Sequence, residues 1–285
     1  MQPRTKGLLL ILAAALCWST GGIGIKAIAD SALKVTFYRS LFAAVALLLV
    51  FGKKVGRRRF RSAGVFAVAI VSYAACLASF VTATKLTTAA NAIFLQYAGV
   101  VWVLLLSPVV LHEPMRRRDV AAIAVALGGM ALFFLGKLET RGMSGNVLAL
   151  VSSVFFAALV LALRREHDAA ESAITWGNIL AAVALLPFVR HDLALSPRSF
   201  GVLLFLGVVQ IALAYLLFVR GLKFVTATQA SLTGMLEPVM NPVWVFLFIG
   251  ERPSGFAVIG AVIVLAAIGW HSLAGAPAAD LPAVD

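Results

Sequence analysis

From Gly7 to Leu273 the chain is a succession of apolar runs separated by short polar stretches, each run close to the roughly 20 residues that an α-helix needs to cross a bilayer. That pattern leaves little choice of fold. In hydrocarbon every backbone N–H and C=O must be bonded within the protein, so runs of this length cross as helices. The composition agrees: 62% of residues are hydrophobic, only 13% are charged, and the mean hydropathy of +1.00 lies far outside the range of soluble globular domains.

Apolar runs bounded by charges and turn residues predict an all-α integral membrane protein with ten transmembrane helices. The first five run from about Gly7 to Ala29, Leu33 to Phe51, Ser62 to Thr84, Thr88 to Leu111 and Val120 to Gly136. The second five run from about Gly145 to Leu163, Ser172 to Val189, Ser199 to Val219, Thr226 to Ile249 and Gly255 to Leu273. Residues 275–285, rich in Ala and Pro, are expected to be a disordered tail. Arg4 and Lys6 ahead of the first run imitate a signal peptide, but the run continues to about Ala29 and many like it follow.

The formal net charge of +12 does not point to nucleic acid, because the basic residues sit in short clusters between apolar runs and form no basic domain. Such clusters set orientation in a bilayer instead. Lys53, Lys54, Arg57, Arg58, Arg59 and Arg61 lie between runs two and three, and Arg116, Arg117 and Arg118 follow run four. Placing them in the cytoplasm puts both termini there, as expected for a multi-pass protein of the inner (plasma) membrane; the opposite side of the first half then carries only Lys34, Lys85, Lys137 and Arg141. Cys17 and Cys76 lie inside apolar runs without metal-type spacing, so they read as core residues, and neither a metal nor another cofactor is expected.

The charge bias nearly vanishes in the second half, and comparison of the chain with itself explains why. A shift of 138 residues carries Lys85 onto Lys223, Thr88 onto Thr226, Ala92 onto Ala230, Glu113 onto Glu251 and Gly7 onto Gly145 without a gap. The chain is a five-helix unit used twice, residues 1–138 and 139–274. Five is odd, so the second copy enters the membrane inverted, and its loop around His191 to Ser199 has lost nearly all the basic residues of its counterpart, Lys53 to Arg61. Inverted repeats supply two equivalent conformations, one open to each side, which is the architecture of alternating access in secondary transporters.

Within run nine, Glu237 falls near the bilayer midplane, directly before Pro238 and one turn ahead of a second proline, Pro242. Ionisable groups there are costly and are kept for a use. Each proline removes a backbone donor, so the helix is expected to bend or open beside the carboxylate. Gln229, Thr233, Glu237, Asn241 and Trp244 follow helical spacing along one face, which turns to the protein interior or a water-filled cavity. Glu237 is then placed to bind a substrate ammonium, to carry a coupling proton, or to cap backbone donors freed by the kink. Run four presents Asn91, Gly99 and Trp102, with Gln96 and Tyr97 on adjoining flanks. Trp102 either stacks on a ligand or packs as a gate, and Asn91 and Gln229, equivalent in the repeat, bond either a ligand or neighbouring helices. Trp18 in run one, matched by Phe156, either packs closely against a neighbouring helix or joins Tyr73, Gln210 and Tyr215 as a candidate cavity residue. Arg39 and Lys26 near span ends are expected to snorkel toward headgroups, and Glu113 and Glu251 to hold helix ends at turns, with gating as the alternative role.

Trp18-Ser19-Thr20-Gly21-Gly22 with Lys26, Phe37-Tyr38-Arg39, His112-Glu113-Pro114, Leu236-Glu237-Pro238-Val239 and Gly250-Glu251-Arg252-Pro253 together resemble the drug/metabolite transporter superfamily, and more narrowly its EamA branch. The resemblance covers nearly the whole chain. It implies a ten-helix inverted-repeat exporter of small metabolites, often amino acids including aromatic ones, with a central cavity between the halves and helices five and ten peripheral. The chain departs from the pattern at Val100, where many relatives carry proline, and has Gly99 where the second half has Glu237. The cavity should therefore carry its acid on one side only.

The reading that follows is a secondary transporter moving a small-molecule substrate across the bilayer, with an ion or proton as a coupling species and the oligomeric state left open. A carrier of drugs or nucleotide-sugar-like solutes is the alternative within transport. A membrane-embedded enzyme acting on lipids is the alternative outside it, and it would need convergent acid, base or metal groups; His112, His167, His191 and His271 all fall at span ends or in loops.

Overall fold

A computed structural model of the protein describes residues 2–52, 55, 60–135, 142–249 and 254–273, without the side chains of residues 241, 242, 245, 248 and 249. Lys53, Lys54, Arg57, Arg58, Arg59, Lys137, Arg141, Glu251, the 275–285 tail and the Asn241 side chain lie outside the described residues.

Every regular element among the described residues is helical. Eight helical stretches are long and apolar enough to cross a membrane: Pro3–Lys26, Ala32–Phe51, Ala63–Leu86, Ala89–Val110, Met143–Arg165, Ala170–Val189, Pro197–Leu222 and Gly255–Leu273. The 17-residue helix Arg117–Phe133 and the pair Ala227–Gly234 and Leu236–Ile249 bring the spans to the ten expected. Helix starts are fixed by hydroxyls that accept the first free backbone donors. Ser31 bonds Lys34 N–H, Ser62 bonds Val65 N–H and Ser196 bonds Ser199 N–H. Thr88 and Thr226, equivalent in the repeat, cap spans four and nine in the same way.

The halves pack with the exchange that a pseudo-two-fold axis requires. Span one lies against span eight of the other half, and span six lies reciprocally against span three. Spans one and nine pack together as do spans six and four, while spans two and seven, and five and ten, pair across the axis. Glycine permits the close approaches. A methyl group at Gly7 would lie 3.1 Å from Val225 Cγ1, and one at Gly145 would lie 2.8 Å from the Thr87 backbone nitrogen. These are the same contact seen twice, since the 138-residue shift carries Gly7 onto Gly145 and Thr87 onto Val225.

Spans four and nine both break mid-membrane, at Tyr97–Ala98 and at Met235, positions that coincide under the same shift. The breaks are single tight turns: Ala98 N–H donates to Leu95 O (3.2 Å), Val100 N–H to Tyr97 O (3.0 Å) and Met235 N–H to Leu232 O (3.1 Å). The expectation tied this irregularity to Pro238 and Pro242. Span four breaks with Val100 in the place of Pro238, so the break belongs to the repeated unit and does not depend on that proline.

Two further irregularities have no counterpart in the other half. Span one breaks after Trp18, where the Ser19 and Thr20 hydroxyls donate to Leu16 O (2.6 Å) and Cys17 O (2.7 Å), whereas span six runs unbroken over Met143–Arg165. Span eight passes through a π-helical stretch, Leu206–Leu213, a rare geometry that occurs mostly at functional sites.

Candidate functional site

The irregular parts of spans one, four, eight and nine border one partly open cavity of about 40 Å³, reached also by spans two, three and six. Trp18, Arg39, Cys76, Gln96, Phe156, Gln210, Tyr215 and Glu237 line it, with Leu77, Phe80 and Ile211. That volume holds a few water molecules and is far below the several hundred Å³ of a metabolite pocket.

Arg39 corrects the expectation that it snorkels to headgroups: it is 2% exposed and its Nη2 donates to Gln210 Oε1 at 2.6 Å. The local reason is Gly207. A methyl there would sit 2.6 Å from Phe42 Cβ and 2.9 Å from Arg39 O, so only glycine lets span eight approach span two closely enough for Gln210 to reach the guanidinium. Gln210 Nε2 in turn lies 3.5 Å from Trp18 O, over Gly21, where a methyl would be 2.7 Å from that nitrogen. Lys26 is exposed and donates to Thr87 O at 3.1 Å.

On the opposite wall, Glu237 Oε2 and the Tyr97 hydroxyl are 2.9 Å apart, and the same hydroxyl lies 2.8 Å from Gly234 O. A phenol has one proton for these two oxygens. With Glu237 ionised, Tyr97 shares its proton between them; with Glu237 protonated, the acid donates to Tyr97 while Tyr97 donates to Gly234. The break in span four places Tyr97 here, and Pro238, which has no N–H for the carbonyl four residues back, leaves the Gly234 carbonyl to it. Trp18 packs on Tyr215 and Phe218, with ring centroids 5.0 and 5.1 Å apart, while Gln96 Nε2 donates to Ser152 Oγ at 2.8 Å.

Of the residues expected at the site, the structure brings together Glu237, Tyr97, Trp18, Gln96, Gln210 and Tyr215. Asn91 is instead bonded to Thr87 and Asn146, and the Gln229 side chain completes a capping box with Thr226. Thr233 is buried away from the cavity lining, and Trp102, 43% exposed, sits on the perimeter of the bundle. Gly99, the counterpart of Glu237, has no room for a side chain, since a methyl would meet Ser153 O at 2.9 Å. The acid is therefore one-sided because span six crosses that position. Arg39 and Cys76 were not expected at the cavity.

Ionic clasps join the two halves on either side of it. Glu113 Oε1 accepts from Arg164 Nε at 2.8 Å with both side chains at most 4% exposed, and Glu113 Oε2 accepts the Ala227 N–H at 2.9 Å. Glu166 adds bonds to the Arg61 and Ser62 N–H groups at 2.7 Å each. These lie on the face where the described chain begins and ends, since Arg4 reaches the carbonyl of His271 there. On the far face Lys34 Nζ lies 3.2 Å from Asp30, 3.0 Å from Asp192 and 2.6 Å from Ala194 O, and Ser199 donates to Asp30 at 2.6 Å. Burial alone would raise the Asp30 carboxyl, but the bonds from Ser199 and Lys34 outweigh it and hold that group below the usual carboxylate range.

The sequence matches the profile of the EamA-like transporter family twice, over residues 5–135 and 143–273. The chain is a member of the EamA-like transporter family. An uncharacterized transporter of Archaeoglobus fulgidus is 27% identical over 263 residues, 90% of this chain and 93% of that protein. The uncharacterized transporter YwfM of Bacillus subtilis is 28% identical over 272 residues, covering 90% of each chain. Protein PecM of Dickeya dadantii is 28% identical over 177 residues, 58% of this chain and 59% of its own. A solved crystal structure superposes with a TM-score of 0.77 over 95% of this chain and 98% of its own at 18% identity, a likeness of fold alone. This EamA protein is thus a multi-pass membrane transporter built of two repeats, and the enzyme alternative falls away.

Proposed function

We propose that the protein is a secondary transporter of the inner membrane that exports small metabolites, amino acids foremost, by alternating access between its two five-helix halves, with both termini in the cytoplasm. The observation that carries this reading is the cavity between the halves, which holds one acid and one guanidinium and lies between two sets of ion pairs that bridge the halves. Opening toward the cytoplasm requires parting Glu113 from Arg164 and Ala227; opening outward requires parting Lys34 from Asp192 and Ala194. With both clasps made the cavity is too small for a metabolite, so substrate enters only when one of them opens. Glu237, able to hold its hydrogen bonds in either protonation state, is a natural seat for a coupling proton.

Solute counterflow in proteoliposomes, run over a panel of amino acids with and without a pH gradient, tests the reading. Transient accumulation of at least one labelled amino acid is expected. No movement of any solute would overturn transport as proposed, and movement of nucleotide sugars or drugs alone would favour the alternative carrier.

A further inference from the structure

Two side chains of the cavity lining each carry a buried N–H donor that meets no acceptor among the described residues: Arg39 Nε and Trp18 Nε1. Both side chains line the cavity, and they are 2% and 6% exposed. Gln210 ties them together, accepting from the Arg39 guanidinium and reaching the Trp18 carbonyl. A buried donor without an acceptor is a desolvation penalty, larger on a charged group, so two on side chains that line one cavity mark the place of an acceptor brought by a ligand. A carboxylate has two oxygens and the geometry to take a donor on each.

The charge count points the same way. Arg39 and Glu237 face one cavity, and no ion pair joins them among the described residues. A simple amine would answer Glu237 and leave Arg39 uncompensated, and a simple acid would do the reverse; in a low-dielectric site each is a large penalty. A zwitterion answers both. Phe80, Phe156, Ile211 and Tyr215 line the same cavity and offer an apolar wall for a side chain.

We propose that Arg39 and Trp18 form a carboxylate subsite, so that an α-amino acid with an apolar side chain binds with its carboxylate on the Arg39 Nε and Trp18 Nε1 donors and its ammonium toward Glu237. Trp18 is thereby a specificity-determining residue through its indole N–H as well as its ring. The proposal rests on the transporter reading above, and deepens it by fixing which end of the substrate meets which span.

The test uses phenylalanine, its decarboxylated amine phenethylamine and its deaminated acid 3-phenylpropionate as competitors, in counterflow and in direct binding to detergent-solubilised protein. Wild type should prefer phenylalanine at least tenfold over either analogue. Trp18→Phe keeps the ring and loses the N–H, so it should weaken phenylalanine and the acid several-fold while leaving the amine unchanged. Glu237→Gln should do the opposite, weakening the amine and sparing the acid. Equal binding of phenylalanine and phenethylamine by wild type would overturn the subsite, as would a Trp18→Phe variant that loses all three ligands alike or none. Should Trp18→Phe fail to fold, Arg39→Lys, which keeps the charge but removes the Nε donor, carries the same expectation. If other solutes are transported and no amino acid binds, the subsite fails while transport stands; if no solute moves, it is the transporter reading that fails.

Discussion

Replacing Glu113 with Gln should unlatch the face where the described chain begins and ends. In the closed arrangement Glu113 meets the Arg164 guanidinium at 2.8 Å and the Ala227 N–H at 2.9 Å, almost wholly out of solvent. Removing one charge from such a pair leaves the other buried and uncompensated, a loss of about 3–5 kcal/mol. When the halves part, water reaches Arg164, so the loss falls on the closed state alone. Even about 3 kcal/mol shifts the closed-to-open ratio roughly 10²-fold. The protein carries its own reporter in Cys76, a buried thiol on the cavity wall, and the other cysteine, Cys17, can be removed as Cys17→Ser. A membrane-impermeant maleimide applied to vesicles of known orientation should alkylate Cys76 of the Glu113→Gln variant far faster from the unlatched face, and no faster from the other. Adding Arg164→Gln should recover much of the closed state, because the double replacement leaves no stranded charge. Unchanged alkylation in a variant whose melting temperature nonetheless falls would refute the reasoning, since the pair would then hold the fold without governing access. Equal acceleration from both faces would refute it as well.

Lys34→Gln should show the mirror behaviour, with faster Cys76 alkylation from the far face only, read in the same assay. Gly99→Ala forces a methyl against the Ser153 carbonyl and should destabilise by about 1–3 kcal/mol, measured as a fall in melting temperature in detergent. Gly128→Ala, where a methyl meets nothing within 4 Å, should be neutral or slightly stabilising. His167, in the loop after span six, has its pKa lowered from 6.5, chiefly by burial and then by Arg61, Arg164 and Lys223, against the opposing pull of Asp168. The unfolded chain binds the proton more readily, so stability should be full above pH 6.5 and fall as the pH drops from there toward the folded-state value. The melting temperature of His167→Gln should depend less on pH across that window than that of wild type.

The ten spans and the repeat are legible in the sequence because both rest on strong, local signals: run length against bilayer thickness, and residues recurring at one fixed shift. The acid in span nine is legible for the same reason, a carboxylate having no cheap place in an apolar run. Side-chain facing is less so. Arg39 lies seven residues past the Ala32 helix start, where a long basic side chain reaches headgroups as readily as the interior; what turns it inward is Gly207, a residue of another span with no mark of its own in the sequence. Asn91 and Gln229 are polar in apolar runs, as a binding residue would be, but the Gln229 amide completes the capping box at its helix start and the Asn91 amide is taken by Thr87 and Asn146. Trp102 shares a helix with Tyr97, yet the break between them rotates the second half of span four and leaves the indole on the perimeter. That break was hidden because it contains no proline and its signal lies in the structure of the repeated unit.

The central claim is that substrate passes through the cavity bounded by Arg39 and Glu237, and exchange tests it most directly. Proteoliposomes carrying the Cys17→Ser protein, preloaded with an unlabelled solute found to exchange in the counterflow panel, should draw in the labelled solute to a transient overshoot. The same protein with Cys76 fully alkylated should show none, because the adduct occupies a cavity of about 40 Å³. An undiminished overshoot after complete alkylation of Cys76 would place the pathway elsewhere and contradict the account.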